Sequence, residues 1–275
     1  MANRPSDRDS RPDRGTSGDT NERELDRLIR GEVIPRLMMA YASSSDVPSE
    51  QTRVADLSSE MIQDFSQLIV DGAEEQIMAF VDEVLQRGVP LNSLFMDIFA
   101  PAARLLGERW SEDTLDFSSV TLGLVRLQQQ LRRLAPKFYA TAPANPEGRV
   151  FLTTLPQEHH TFGLLMVGEF FRQAGWEVHD DLHKSSENLV QRVRDNWYSA
   201  IGISLSSESR MQELSDLLRS IRSMSANPNV GIMVGGWLFC ERPDLVEFAG
   251  ADFGADSPEE AITAARQWVA QHASP

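Results

Sequence analysis

The stretch Val150-Phe151-Leu152-Thr153-Thr154-Leu155-Pro156-Gln157-Glu158-His159-His160-Thr161-Phe162-Gly163 decides how this chain is read. The apolar run Val150-Phe151-Leu152, finished by two threonines, reads as a strand. From Phe162 onward Leu165, Val167, Phe170 and Phe171 supply the buried face of a helix, which Gly175 closes. Glu158, His159 and His160 therefore fall in a strand-to-helix loop. Open α/β sheets gather their ligand chemistry there, at the carboxyl ends of the strands.

Downstream the alternation continues. Strands are expected at 149–154, 177–181, 200–205, 230–234 and 252–255, and helices near 162–174, 185–196, 209–224, 243–248 and 257–272. Repeated βα units imply a parallel sheet covered on both faces and connected right-handedly. A flavodoxin-like (Rossmann-like) five-stranded domain of order 2-1-3-4-5 is expected. That order makes the first, third and fourth strands neighbours. Their ends would line one crevice with Glu158-His159-His160, with Ser204-Leu205-Ser206-Ser207-Glu208, and with Gly235-Gly236-Trp237. The two glycines would let something large and rigid approach the backbone.

Upstream the pattern is all-α. Residues 1–22 are Arg, Asp, Ser, Pro and Gly with almost nothing apolar, a composition that predicts a disordered tail. From Glu24, the residues Leu25, Leu28, Ile29, Val33, Ile34, Leu37 and Met38 recur at three- and four-residue steps. Gly31 and Pro35 interrupt them, so a kinked helix or two short ones is expected before a polar loop at 43–55. One helix then opens at Ser58-Ser59-Glu60, a second spans about 73–86, and a third starts at Asn92 and stops at Gly107. The last carries Val120, Leu122, Leu124, Leu127, Leu131 and Leu134. Residues 57–138 thus form an antiparallel bundle with the N-terminal helix against it. The expected domains are a tail at 1–22, a helix bundle at 23–140, a Pro- and Gly-bearing linker at 141–148, and the sheet domain at 149–275.

Composition narrows the function. No apolar run approaches the ~20 residues of a membrane span, and the N-terminus has no apolar signal core. Cys240 is alone among 275 residues, which excludes an internal disulfide and fits a reducing cytoplasm. Acids outnumber Lys and Arg by 41 to 26, a balance unsuited to binding nucleic acid directly. No acid–base constellation suggests an enzyme.

The strand-end residues also exclude several ligands. Pro156-Gln157-Glu158 is not the Ser/Thr/Gly run of a flavodoxin phosphate loop, Ser204 stands where a phospho-receiver needs aspartate, and no Gly-x-Gly-x-x-Gly is present. Zinc is poorly served, because Cys240 is alone and His179, His183 and His272 fall on other elements. One histidine as the axial ligand of a macrocyclic metal remains, oriented by a carboxylate on its second nitrogen. Glu158, two residues before His160, is placed for that role.

Glu158-x-His160-x-x-Gly163, then Ser204, then Gly235-Gly236 resembles the Asp-x-His-x-x-Gly … Ser-x-Leu … Gly-Gly signature of cobalamin-binding domains. The resemblance covers roughly 57–270. It implies that His160 binds cobalt, that the nucleotide tail passes Gly163, and that Ser204, Gly235 and Gly236 line its tunnel. The bundle would be the cap over the corrin, with Trp110 above the metal. The sequence departs from the signature in having Glu158 for Asp and Ser206 for leucine. Light sensors of the CarH type carry Glu-His where Val120 and Thr121 stand here, and no histidine precedes His159. The pattern Trp110-x-x-Asp113-x-x-x-Phe117-x-x-Val120-Thr121, with Glu158-x-His160-Thr161-Phe162-Gly163 and Gly235-Gly236-Trp237-Leu238-Phe239, is similar to the AerR/PpaA antirepressors of photosynthetic bacteria. The expected cofactor contacts are Trp110, Asp113, Phe117, Val120, Thr121, Glu158, His160, Thr161, Phe162, Gly163, Ser204, Ser206, Gly235, Gly236 and Trp237. The resemblance implies a light-responsive cobalamin sensor that relieves a DNA-bound repressor of photosystem genes (CrtJ/PpsR type). Without a cap imidazole, the hydroxo or aquo form of cobalamin is the expected ligand. A haem sensor on the same scaffold and a methyltransferase's corrinoid carrier are the alternatives.

Overall fold

The computed structural model describes residues 59–144, 146–181 and 185–272. The expected tail at 1–22, the helical pattern from Glu24, the loop at 43–55 and His183 lie outside the described residues.

The bundle starts with α1 (Ser59–Asp71) and α2 (Glu74–Gln86), which ends at Gly88 with φ +86°. Next, α3 is continuous through Leu91–Ser93, a π-helical turn at Leu94–Phe99, and Ala100–Ser111. Pro101 lacks the N–H that an α-helix would direct at residue 97, and the wide turn just before it accommodates that loss. This helix continues past its expected stop at Gly107. Termination needs a left-handed residue, and that residue is Asp113 (φ +58°). Asp113 N–H donates to Trp110 C=O (3.0 Å) and Thr114 N–H to Arg109 C=O (2.8 Å), the paired bonds of a Schellman ending. The fourth helix, α4 (Phe117–Phe138), is capped by the Asp116 carboxylate, which accepts from Ser119 N–H at 2.8 Å. Phe65, Ile69, Phe99, Leu106, Leu127 and Leu134 are fully buried between these helices.

The sheet domain alternates β1 (Arg149–Thr154), α5 (Phe162–Gln173), β2 (Glu177–Asp180), α6 (Ser186–Asp195) and β3 (Ala200–Ser204). A 3-10 turn at Glu208–Arg210 leads into α7 (Met211–Met224), and β4 (Gly231–Gly235) follows. Two short helices, α8 (Trp237–Glu241) and α9 (Leu245–Ala249), precede β5 (Phe253–Ala255) and α10 (Pro258–His272). All pairings are parallel, in the order β2-β1-β3-β4-β5. The register aligns Thr154, Ser204 and Gly235 in one row across the carboxyl ends of β1, β3 and β4. The bundle packs on α5, where Phe138 meets Phe95 and Phe170 edge-on at 5.0 Å each. Such pairs contribute about 0.5–1.5 kcal/mol each beyond their buried area. No helix among the described residues is long and apolar enough to cross a membrane.

Candidate functional site

Beyond β1 the chain reverses in a tight turn, in which Glu158 N–H donates to Leu155 C=O at 3.1 Å. Pro156 suits the second position of such a turn. Gln157 occupies the third with φ +63°, a left-handed conformation that costs a non-glycine residue about 1–2 kcal/mol. The strain is braced from the neighbouring strand's connection. Arg210, held by Glu213, donates through Nη2 to Pro156 C=O at 2.7 Å.

The turn aims Glu158 inward, where it is 5% exposed. Its Oε1 accepts from the backbone N–H of His159 (3.0 Å) and of His160 (3.1 Å), and from His160 Nδ1 (2.5 Å). Its Oε2 accepts from Ser206 Oγ (2.7 Å) and, at 3.4 Å, from Ser206 N–H. Ser206 Oγ also lies 2.9 Å from His160 Nδ1, so carboxylate, imidazole and hydroxyl form a closed triangle. Burial pushes the Glu158 carboxyl up, but the hydrogen bond and charge of His160, with the Ser206 hydroxyl, outweigh it and hold the group at about 2. A carboxylate on Nδ1 fixes the tautomer that leaves the Nε2 lone pair outward. Nε2 makes no hydrogen bond among the described residues, and the side chain is 25% exposed. His159 is exposed, and Thr161 and Phe162 are buried at the start of α5, with Gly163 beside them.

Ser204 and Gly235 are half-buried at the ends of β3 and β4. Gly236 has φ +95°, and a Cβ there would come within 2.8 Å of Leu205 C=O and Ser204 Oγ. Bare backbone is thus required beside Ser204, and Gly235 has room above it, its nearest neighbour being Ala255 C=O at 3.4 Å. Trp237 is buried at the start of α8. The Thr154 hydroxyl, in the same row, is buried with no hydrogen-bond partner among the described residues. In the bundle Trp110 is half-buried and meets Phe117 at 6.1 Å, while Phe117 is 64% exposed. Asp113 and Thr121 are exposed, and Thr121 Oγ1 donates to Phe117 C=O. Val120 belongs to the bundle core.

The structure brings Glu158, His160 and Ser206 into one hydrogen-bonded unit, with Ser204, Gly235 and Gly236 in the adjoining row. The sequence placed Ser206 in the strand-end crevice and as a departure from the leucine of the signature, but gave no sign of its bond to Glu158. Arg210 carried no sequence signal, because its partner is a backbone carbonyl. Among the described residues no group of three or more His, Cys, Asp or Glu could hold a metal ion by itself. Cys240 is half-buried and its thiol is pushed up to about 11 by burial, so it is no ready ligand. One presented imidazole nitrogen, an unsatisfied buried hydroxyl and a glycine cradle instead fit a metal that brings its own equatorial ligands.

Comparison with known proteins agrees. Residues 148–265 match the B12 binding domain family, and residues 61–123 match a second family of the same description. An uncharacterized 20.5 kDa protein in the bchF-crtJ intergenic region of Rhodobacter capsulatus is 26% identical over 172 residues, 62% of this chain and 89% of its own. Dimethylamine corrinoid protein 2 of Methanosarcina mazei is 23% identical over 212 residues, covering 76% of this chain and 96% of its own. Among solved structures, the Methanosarcina barkeri monomethylamine corrinoid protein is similar in fold, with a TM-score of 0.62 at 16% identity over 76% of this chain and 99% of that one. Over residues 61–123 and 148–265, the chain is accordingly a pair of B12 binding domains.

Proposed function

We propose that the chain is a light-responsive antirepressor of the AerR/PpaA type, which binds cobalamin and acts on a DNA-bound repressor of the CrtJ/PpsR type. The observation that carries this reading is the Rhodobacter capsulatus relative, whose name places it beside crtJ. Cobalamin supplies a cobalt whose upper ligand is exchangeable and, when alkyl, labile to light. His160 would hold the cobalt through Nε2, its ring oriented by Glu158 and Ser206. Thr154, Ser204, Gly235 and Gly236 would receive the nucleotide tail, and Trp110 and Phe117 would pack against the macrocycle. No histidine precedes His159, so the bundle offers no imidazole to replace a lost alkyl group, and hydroxo- or aquocobalamin is the favoured form.

Output must run through differential partner affinity for the loaded and empty protein. The usual coupling of about 1–3 kcal/mol changes that affinity roughly 5- to 150-fold. The test is a gel-shift series with promoter DNA, repressor and this protein, with and without hydroxocobalamin. Repressor release only in the presence of loaded protein is expected. Tight, salt-sensitive binding of DNA by this protein alone would overturn the reading. The Methanosarcina relatives favour a second reading, a corrinoid carrier for a methyltransferase. A methyl-transfer assay separates the two, and the pigment spectrum of the purified protein separates corrin from haem.

A further inference from the structure

Three of the six exposed large hydrophobic residues among those described lie on the first half of α4, namely Phe117, Leu122 (45% exposed) and Val125 (43%). At 100° per residue, Leu122 and Val125 fall on the side of the helix away from the core residues Leu127 and Leu134. Ser118, Thr121 and Gln129 share this outer side and are exposed but uncharged. The one charged residue in 117–129 is Arg126, and it is occupied elsewhere. Its Nη1 donates to Ile69 C=O (2.8 Å) and Val70 C=O (2.6 Å) at the end of α1. In a chain with 24% charged residues, four turns of outward helix face without a free charge have the composition of a covered surface.

We propose that this face of α4 is the seat of the chain's own residues 24–38. That segment carries Leu25, Leu28, Ile29, Val33 and Leu37 at helical steps, an apolar set of matching kind. The connection permits it. Residues 39–58 lead into Ser59 at the start of α1, the helix that Arg126 ties to α4. At ~3.3 Å per residue they reach at most about 66 Å, twice the ~33 Å length of α4. A second copy is the weaker occupant. Three exposed apolar side chains, of which only Phe117 is more than half exposed, fall far short of the about 1,000 Å² that a stable dimer buries. A tethered segment, at an effective concentration on the order of millimolar, needs much less contact. Seated there, residues 24–38 would adjoin the turn carrying Phe117 and Thr121. The inference is independent of which cofactor or partner the protein uses.

Trypsin reads this directly in the full chain, because arginines not followed by proline lie in both the tail (Arg8, Arg14) and the segment (Arg27, Arg30, Arg36). Cleavage at Arg27, Arg30 and Arg36 should be at least about tenfold slower than in the tail, reflecting a tenfold smaller open population. Leu122→Asp/Val125→Asp should abolish that difference while leaving the far-UV spectrum unchanged. Leu28→Asp/Ile29→Asp, on the segment itself, should do the same. Equal cleavage rates in the wild type would overturn the proposal, as would protection that survives both double variants. Light scattering that shows a dimer lost in the α4 variant with protection intact would overturn it in favour of a second copy. Protection that arises only when a repressor is added would overturn it in favour of that partner.

Discussion

Replacing Glu158 by Gln keeps the size of the side chain and changes what it can accept. Oε1 would remain an acceptor for His159 N–H, His160 N–H and His160 Nδ1–H, but without its negative charge. The amide nitrogen at the other position would face Ser206, whose Oγ and N–H both now point at a carboxylate oxygen. A hydrogen bond to a charged group contributes about 1.5–3 kcal/mol against about 1 for a neutral one. The bond that orients the imidazole is therefore weakened by about 0.5–2 kcal/mol. Carboxylates that orient metal-bound histidines cost about 10- to 100-fold in affinity when removed, so the two routes agree. We expect Glu158→Gln to bind hydroxocobalamin roughly 10- to 100-fold more weakly, measured by absorbance titration of the apoprotein in darkness. His160→Ala should lose the cofactor on gel filtration. Wild-type affinity in Glu158→Gln, or a loss as complete as that of His160→Ala, would refute the assigned division between ligand and orienting group.

Other predictions follow from the same loop and its neighbour. His159→Ala should retain cobalamin, because His159 is exposed and its backbone N–H, which donates to Glu158, survives the substitution; its loss on gel filtration would move the ligand by one residue. Gly236→Ala should destabilise more than Gly250→Ala in urea unfolding, by about 1 kcal/mol or more. Both glycines have positive φ, but only at Gly236 would the new Cβ meet atoms at 2.8 Å, whereas nothing lies within 4 Å at Gly250. Acid should erase the benefit of Glu158. Its folded value of about 2 lies below the ordinary 4.5, so its contribution is complete above about 4.5 and declines as pH falls toward 2. The stability difference between wild type and Glu158→Gln should be constant above pH ~5 and gone near pH ~2. A difference that grows with acid would contradict the assignment.

Much of this architecture can be read from the chain because its signals are local and periodic. Short apolar runs separated by helical patterns mark β1, β3 and β4, the alternation supplies β2 and β5, and the connection rules leave few orders for them. The histidine was legible through its place between Thr154 and Phe162, where a strand must hand over to a helix. What escaped depends on contacts distant in sequence. Ser206 reaches Glu158 across 48 positions, and Arg210 reaches the Pro156 carbonyl across 54. The stop of α3 was misplaced for a different reason. Glycine is the commonest left-handed terminator, but an aspartate can take that conformation, and here Asp113 does. The short helix Trp237–Glu241 was missed because five residues carry too little periodicity to be recognised.

The helix α5 joins two parts of the molecule that the sequence lists far apart. His160 lies just ahead of its first turn, and Phe170, near its far end, is wedged between Phe95 and Phe138 of the bundle. Twelve residues of helix make a strut about 18 Å long. A strut fixed at both ends cannot tilt at one without moving the other. A change at the imidazole and a change in how the bundle sits on Phe170 therefore share one rigid element, and the shortest covalent path between them runs along its axis.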